Sequence, residues 1–157
     1  MKWIATATLI LLSTFSHAAD LLIHIDGRQA QTVSLSQLTN EVDQDNITTH
    51  LPWLTDSHTF TGTSASGLLD YLGVRDAYAM SFIGLNEYAA TTTIEEIDKY
   101  HPIIAYYQDG KPMKVRHKGP YWLLFNVDKY PETGSEVFQT KMVWQIKEII
   151  VHRKYEK

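Results

Sequence analysis

The chain has 157 residues, of which 44% are apolar and 20% charged, and its formal net charge is -4. This composition suits one folded domain with its own core, and it excludes a disordered chain and disfavours a nucleic-acid binder, because nucleic acid selects basic surfaces. The sequence has no cysteine, which excludes disulfides, thiolate metal ligands and thiol nucleophiles.

Residues 1–18 have the pattern of a secretory signal peptide. Lys2 provides the charged start, residues 3–15 are largely apolar, and Ser16 and Ala18 are small residues at the expected spacing before a cleavage point. The apolar run is shorter than the roughly 20 residues that a membrane span needs. An uncleaved anchor is the alternative interpretation.

We therefore predict cleavage before Ala19 and a single domain over residues 19–157, with no permanent membrane anchor. No twin arginine precedes the apolar run, so the predicted export route is the general secretory one, which handles unfolded chains. The expected location is periplasmic or secreted.

The first half of this domain is predicted to alternate short strands and short helices. Strand patterns lie at residues 21–26, 47–51 and 59–61. Ser34 can cap a helix that runs to Val42, and a second helical pattern over 64–72 is ended by Gly73. Gly62 is expected to turn the chain after the third strand.

The second half is richer in strands. They are predicted at 78–85, 88–92, 103–108, 113–116, 121–127 and 144–151. Thr93 and Glu96 form a capping-box pattern at the start of a helical turn, Asp109-Gly110 is a hairpin signal, and residues 131–139 read as a loop with a helical turn. In the last strand the alternation of apolar and polar residues shifts by one position between Ile146 and Ile149, which predicts a β-bulge. The fold class is α+β with a dominant β core.

Several of these segments, in this order and spacing, are similar to one known family. They are Phe60-Thr61-Gly62 with residues 68–73, Gly84-Leu85-Asn86-Glu87-Tyr88, residues 104–113, Val115-Arg116-His117-Lys118-Gly119-Pro120, and residues 143–149. Together they resemble small stand-alone members of the sulfite-oxidase family, the oxidoreductase molybdopterin-binding domain. The resemblance covers roughly residues 20–152. It implies an α+β, sulfite-oxidase-like molybdopterin-binding fold, with a mixed curved β core, a few short helices and a cleft that holds the pterin in the family.

The sequence departs from this family where the metal is held. The family ligates molybdenum through one cysteine, and the comparable stretch here, residues 46–53, has none. The family arginine that follows Gly119-Pro120 is also missing, and Thr or His cannot replace a soft thiolate. A folded, cofactor-loaded carrier would also need a twin-arginine signal. We therefore expect no bound cofactor, no stoichiometric molybdenum and no sulfite oxidation; molybdopterin remains only an implication of the resemblance.

A run of cations is the first candidate site. Lys111, Lys114, Arg116, His117 and Lys118 precede a Gly-Pro pair, where backbone can approach a ligand closely. Arg116 could hold a phosphate or carboxylate with two parallel hydrogen bonds. The alternative is a solvated hairpin face.

Two further segments are candidates beside it. His50 could hydrogen-bond a ligand and Trp53 could stack on a flat ring, while Asn86 and Tyr88 lie on a turn that borders the family's cleft. The alternatives are a loop histidine, a core tryptophan and ordinary turn chemistry. The candidate ligand-binding set is therefore His50, Trp53, Asn86, Tyr88, Arg116, His117 and Lys118. We expect Arg116 and Trp53 to line one cleft; no catalytic residue and no metal site is predicted, because no histidine spacing matches a metal motif.

Three functions compete. The favoured one is an exported, non-catalytic module that binds a small anionic or planar ligand, or an extracytoplasmic protein partner, in a sensory or accessory role. The second is a molybdopterin-dependent oxidoreductase or its subunit. The third is a structural protein whose cleft is filled by side chains.

Overall fold

The structure, a computed structural model, describes residues 20–154. The predicted signal peptide and the cleavage point before Ala19 lie outside these residues and stay predictions. Within residues 20–154, no helix combines the length and the apolar character needed to cross a bilayer.

Ten short strands and four short helices make up the described part of the chain. The strands are β1 Leu21–Ile25, β2 Gln31–Val33, β3 Gln44–Thr49, β4 His58–Ser64, β5 Ala77–Gly84, β6 Ala89–Thr93, β7 Ile103–Gln108, β8 Lys111–Pro112, β9 Trp122–Leu124 and β10 Ile146–Arg153. The helices are α1 Leu35–Glu41, α2 Ala65–Tyr71, α3 Ile94–Tyr100 and α4 Glu136–Lys141, with 3-10 turns at Val115–His117 and Pro131–Gly134. The predicted α+β class is confirmed.

The strands form two sheets. The first has the order β2-β1-β10-β5-β6, and its central β1–β10 pair is parallel while its other pairs are antiparallel. The second has the order β3-β4-β7-β8, with β9 also paired to β7, and all of its pairs are antiparallel. Buried side chains of both sheets, such as Ile23 and Ile149 from one and Phe60 and Trp122 from the other, belong to one apolar core. Burial of this core is the main stabilising contribution to the fold.

The local signals for helix starts are confirmed. The side chains of Ser34 and Thr93 each accept a hydrogen bond from a backbone amide of the first helical turn, and the side chains of Gln37 and Glu96 accept one from the backbone amide of the cap residue. The register of β10 shifts between Ile146 and Glu148, so the predicted bulge is also present.

Two backbone predictions are wrong. Gly62 does not turn the chain; β4 continues to Ser64, and Gly62 lies at a bulge where a Cβ atom would be 2.2 Å from the carbonyl oxygen of Ile104. Residues 113–116 are not a strand, because the amides of His117 and Gly119 both donate to the carbonyl of Lys114 and close a turn. The predicted strand over 121–127 is shorter than expected and is limited to β9.

Candidate functional site

Three tryptophans from distant parts of the chain meet at one place, which we call the tryptophan cluster. Trp53 follows β3, Trp122 lies in β9 and Trp144 precedes β10; their ring centroids are 5.6 to 6.4 Å apart. Trp122 is fully buried and its indole nitrogen donates to the carbonyl of Met142 at 3.0 Å. This bond and the adjacent backbone bond from Leu123 to Val143 hold the segment before β10 against β9.

The side chain of Lys118 extends over all three rings. Its Nζ atom is 3.6 Å from the ring centroid of Trp144, 5.3 Å from that of Trp122 and 5.5 Å from that of Trp53. Lys118 adopts a left-handed backbone conformation after the 3-10 turn, and its carbonyl accepts from the amide of Gln145 at 2.9 Å. These constraints direct the ammonium towards the indole faces, whose quadrupole attracts a cation.

Within residues 20–154 this ammonium has no carboxylate partner within ion-pair distance and no hydrogen-bond acceptor. Burial lowers the pKa of Lys118, because removing an ammonium from water disfavours its charged form. The indoles act in the opposite sense, since they stabilise the charged form. A half-buried cation without an anion is therefore available to a ligand.

A depression of about 630 Å³ opens beside Lys118, and we call it the basic depression. Its walls are formed by Leu54, Gln108, Asp109, Lys111, Pro112, Met113, Lys114, Arg116, His117, Lys118 and Trp122. Asp109, the carboxylate in this lining, is bound to His58 at 2.6 Å, and that hydrogen bond lowers the pKa of Asp109. Lys114, Arg116 and Lys118 form no ion pair in the described part of the chain.

A second depression, of about 460 Å³, has Trp53 and Trp144 of the cluster in its lining and is called the tryptophan groove. It is lined by Trp53, Asn86, Tyr88, Glu136, Gln139, Thr140, Met142, Val143 and Trp144. The hydroxyl of Tyr88 donates to the carbonyl of Thr140 at 2.7 Å, and the side-chain oxygen of Asn86 accepts from the Tyr88 amide at 3.2 Å. The first bond joins the β5–β6 turn to α4 and fixes the tyrosine ring at the edge of the groove, and the second lies within the turn itself.

The structure distributes the predicted site residues over these two depressions. Arg116, His117 and Lys118 line the basic depression, whereas Trp53, Asn86 and Tyr88 line the tryptophan groove. Arg116 and Trp53 are therefore found in the linings of two depressions, and the contact between Lys118 and the Trp53 ring joins the two.

His50 lies in the lining of neither depression. Its Nδ1 atom is 2.9 Å from Asp128 Oδ2, and its backbone amide donates to the same oxygen at 3.2 Å. This arrangement gives His50 a role in fixing the loop before Trp53.

Sequence reasoning did not identify Trp122, Trp144 or Glu136 as site residues. Trp122 belongs to the predicted strand over 121–127 and Trp144 to the predicted last strand, but in the structure Trp122 is fully buried in β9 and Trp144 precedes β10. The sequence signal that could have found them is the tryptophan count itself: beyond Trp3, every tryptophan of the chain belongs to the cluster.

The donor set does not fit a thiolate-held molybdenum centre. The chain has no cysteine, and within residues 20–154 no group of three His, Asp or Glu side chains is arranged to hold a metal ion. In the stretch comparable to the family's metal loop, His50 is bound to Asp128. The soft ligand that such a metal requires is not supplied by these groups.

No family model matches this sequence, and no curated protein matches it. Among solved structures, the sulfane dehydrogenase SoxCD from Paracoccus pantotrophus is similar in fold, with a TM-score of 0.61 and 12% sequence identity over 87% of this chain. The match covers 38% of that chain, so this protein corresponds to well under half of it. At this identity the likeness concerns the fold alone. It confirms the predicted α+β, sulfite-oxidase-like fold and supports a distant resemblance to the fold of this dehydrogenase chain.

Proposed function

We propose that this protein is a non-catalytic module that binds a small ligand through an anionic group, and that it works outside the cytoplasm after residues 1–18 are removed. One observation carries the proposal: Lys114, Arg116 and Lys118 converge on one depression and form no ion pair among residues 20–154. In a chain of net charge -4, such a concentration of unpaired cations favours an anionic ligand.

The walls of the basic depression suit a ligand with both a charged and an apolar part. Leu54, Met113 and Trp122 offer apolar surface, while Arg116 can hold a phosphate, sulfate or carboxylate with two parallel hydrogen bonds. Lys118 adds a cation that is already half-buried, so it loses less hydration on binding than an exposed lysine would. A binding pocket of a few hundred Å³ is the usual size for a small-molecule site.

The test is calorimetric titration of the protein with sulfate, inorganic phosphate and pyrophosphate. A charge-assisted hydrogen bond contributes about 1.5–3 kcal/mol, so Arg116→Ala should weaken binding roughly tenfold to a hundredfold. Lys129→Ala is the matched control, because Lys129 is exposed, lies outside the basic depression and carries the same charge. If no anion binds saturably, or if both variants bind equally well, the proposal is wrong.

A molybdopterin-dependent oxidoreductase, or a subunit of one, is the second candidate, because the fold is similar to that of a sulfane dehydrogenase chain. The lack of a cysteine ligand, and of a group of His, Asp or Glu side chains that could hold a metal among residues 20–154, argues against an oxidoreductase. Metal analysis and mass spectrometry of protein isolated from its native compartment separate the two candidates. Molybdenum close to one atom per chain supports the oxidoreductase; a bound organic anion without molybdenum supports the binding module.

A further inference from the structure

The tryptophan groove has the opposite electrostatic character to the basic depression. Its lining carries one ionisable carboxylate, Glu136, and no lysine, arginine or histidine. Glu136 is exposed and forms no ion pair in the described part of the chain. On neighbouring elements, Lys141 is paired with Glu96 and Lys147 with Glu87, whereas Lys118, which lies over the rings of Trp144 and Trp53, has no carboxylate partner among residues 20–154.

Two of the aromatic rings that line the groove already contact a cation, the ammonium group of Lys118. The Lys118 ammonium lies 3.6 Å from the ring centroid of Trp144 and 5.5 Å from that of Trp53, and both rings also line the groove. Tyr88 contributes a third ring, held in place by its hydroxyl bond to Thr140. Electron-rich ring faces beside a free carboxylate are the features that recognise organic ammonium ions.

From these observations we infer that the tryptophan groove is a binding site for a small organic ammonium ion. The cation lies against Trp53, Trp144 and Tyr88, and Glu136 provides the opposite charge. An alkylated ammonium fits better than an inorganic cation, because Met142 and Val143 offer apolar contact and Glu136 is the only carboxylate in this lining. The groove's volume of about 460 Å³ suits a small molecule.

This inference is independent of the anion site. The two depressions share the tryptophan cluster, but their linings have no residue in common. An ammonium site can therefore be present or absent whatever the calorimetric titrations with sulfate, phosphate and pyrophosphate show.

The test uses tryptophan fluorescence of the full chain carrying Trp3→Phe, in which every remaining tryptophan belongs to the cluster. The protein is titrated in chloride buffer with choline and, separately, with 3,3-dimethylbutan-1-ol. These probes have the same shape and differ in charge. Choline should change the emission saturably and bind roughly tenfold more tightly than the alcohol, which is the scale of a partly desolvated cation–π contact.

Glu136→Gln should weaken choline binding severalfold and leave the alcohol unchanged. Glu95→Gln is its matched control, because Glu95 is also exposed and unpaired within residues 20–154 but lies outside the groove. Equal affinity for choline and the alcohol would show a neutral apolar pocket and overturn the inference. So would a lack of saturable binding, or equal effects of the two glutamate substitutions.

Discussion

Replacing Tyr121 by phenylalanine should stabilise the protein. Tyr121 is fully buried, and its hydroxyl has no hydrogen-bond partner within residues 20–154. A buried polar group without a partner costs about 1–3 kcal/mol, while the ring itself fills core space that phenylalanine fills equally well. Tyr121→Phe should therefore raise the free energy of unfolding at pH 7 by about 1 kcal/mol or more.

The same substitution should change the response to alkaline pH. Burial raises the pKa of Tyr121, and the negative charges of Asp20 and ionised Tyr106 raise it further. Above the unfolded value near 10, the unfolded chain loses the Tyr121 proton while the folded chain retains it, so stability falls as pH rises. Once this difference is complete, the free energy of unfolding falls by about 1.4 kcal/mol per pH unit. The Tyr121→Phe variant has no phenol at this position and should not show this decrease.

Urea denaturation of both proteins at pH 7, 10 and 11 measures these effects. Tyr78→Phe is the control, since Tyr78 is half-exposed and its substitution should change stability at pH 7 by no more than about 0.5 kcal/mol. A Tyr121→Phe variant less stable than the parent at pH 7 would refute the reasoning. An advantage that does not grow between pH 10 and 11 would refute the assignment of the alkaline loss to Tyr121.

Two other predictions concern a backbone contact and the loss of stability at low pH. Gly62→Ala should destabilise the protein by about 1–3 kcal/mol or more in urea denaturation, because the added methyl would overlap the carbonyl of Ile104; an unchanged midpoint would contradict this. The hydrogen bond from Arg153 lowers the pKa of Asp76, so its stabilising contribution is present above the unfolded value near 3.9 and is lost as pH falls through the folded pKa. Asp76→Asn should therefore lose less stability than the parent between pH 5 and about pH 2, and equal losses would show that other groups cause the acid response.

The sequence by itself determined the features that depend on neighbouring residues. The helix cap at Ser34, the capping box at Thr93, the α+β class and the bulge in the last strand follow from hydrogen-bonding side chains and apolar periodicity within a few residues. The same reasoning was wrong at Gly62, whose function is to let β4 approach β7 closely. A contact with Ile104 across a sheet leaves no local signal, so the glycine resembled a turn residue.

Only the tertiary structure decided the site. The sequence predicted Arg116 and Trp53 in one cleft, whereas the structure has Arg116 in the lining of the basic depression and Trp53 in that of the tryptophan groove. The local turn fixes the backbone conformation of Lys118. Only the packing of β3, β9 and β10 brings the three indole rings next to its ammonium group. The physical reason is that caps, turns and strand periodicity are short-range interactions. Cation–π contacts and depressions arise where segments far apart in the chain share one core.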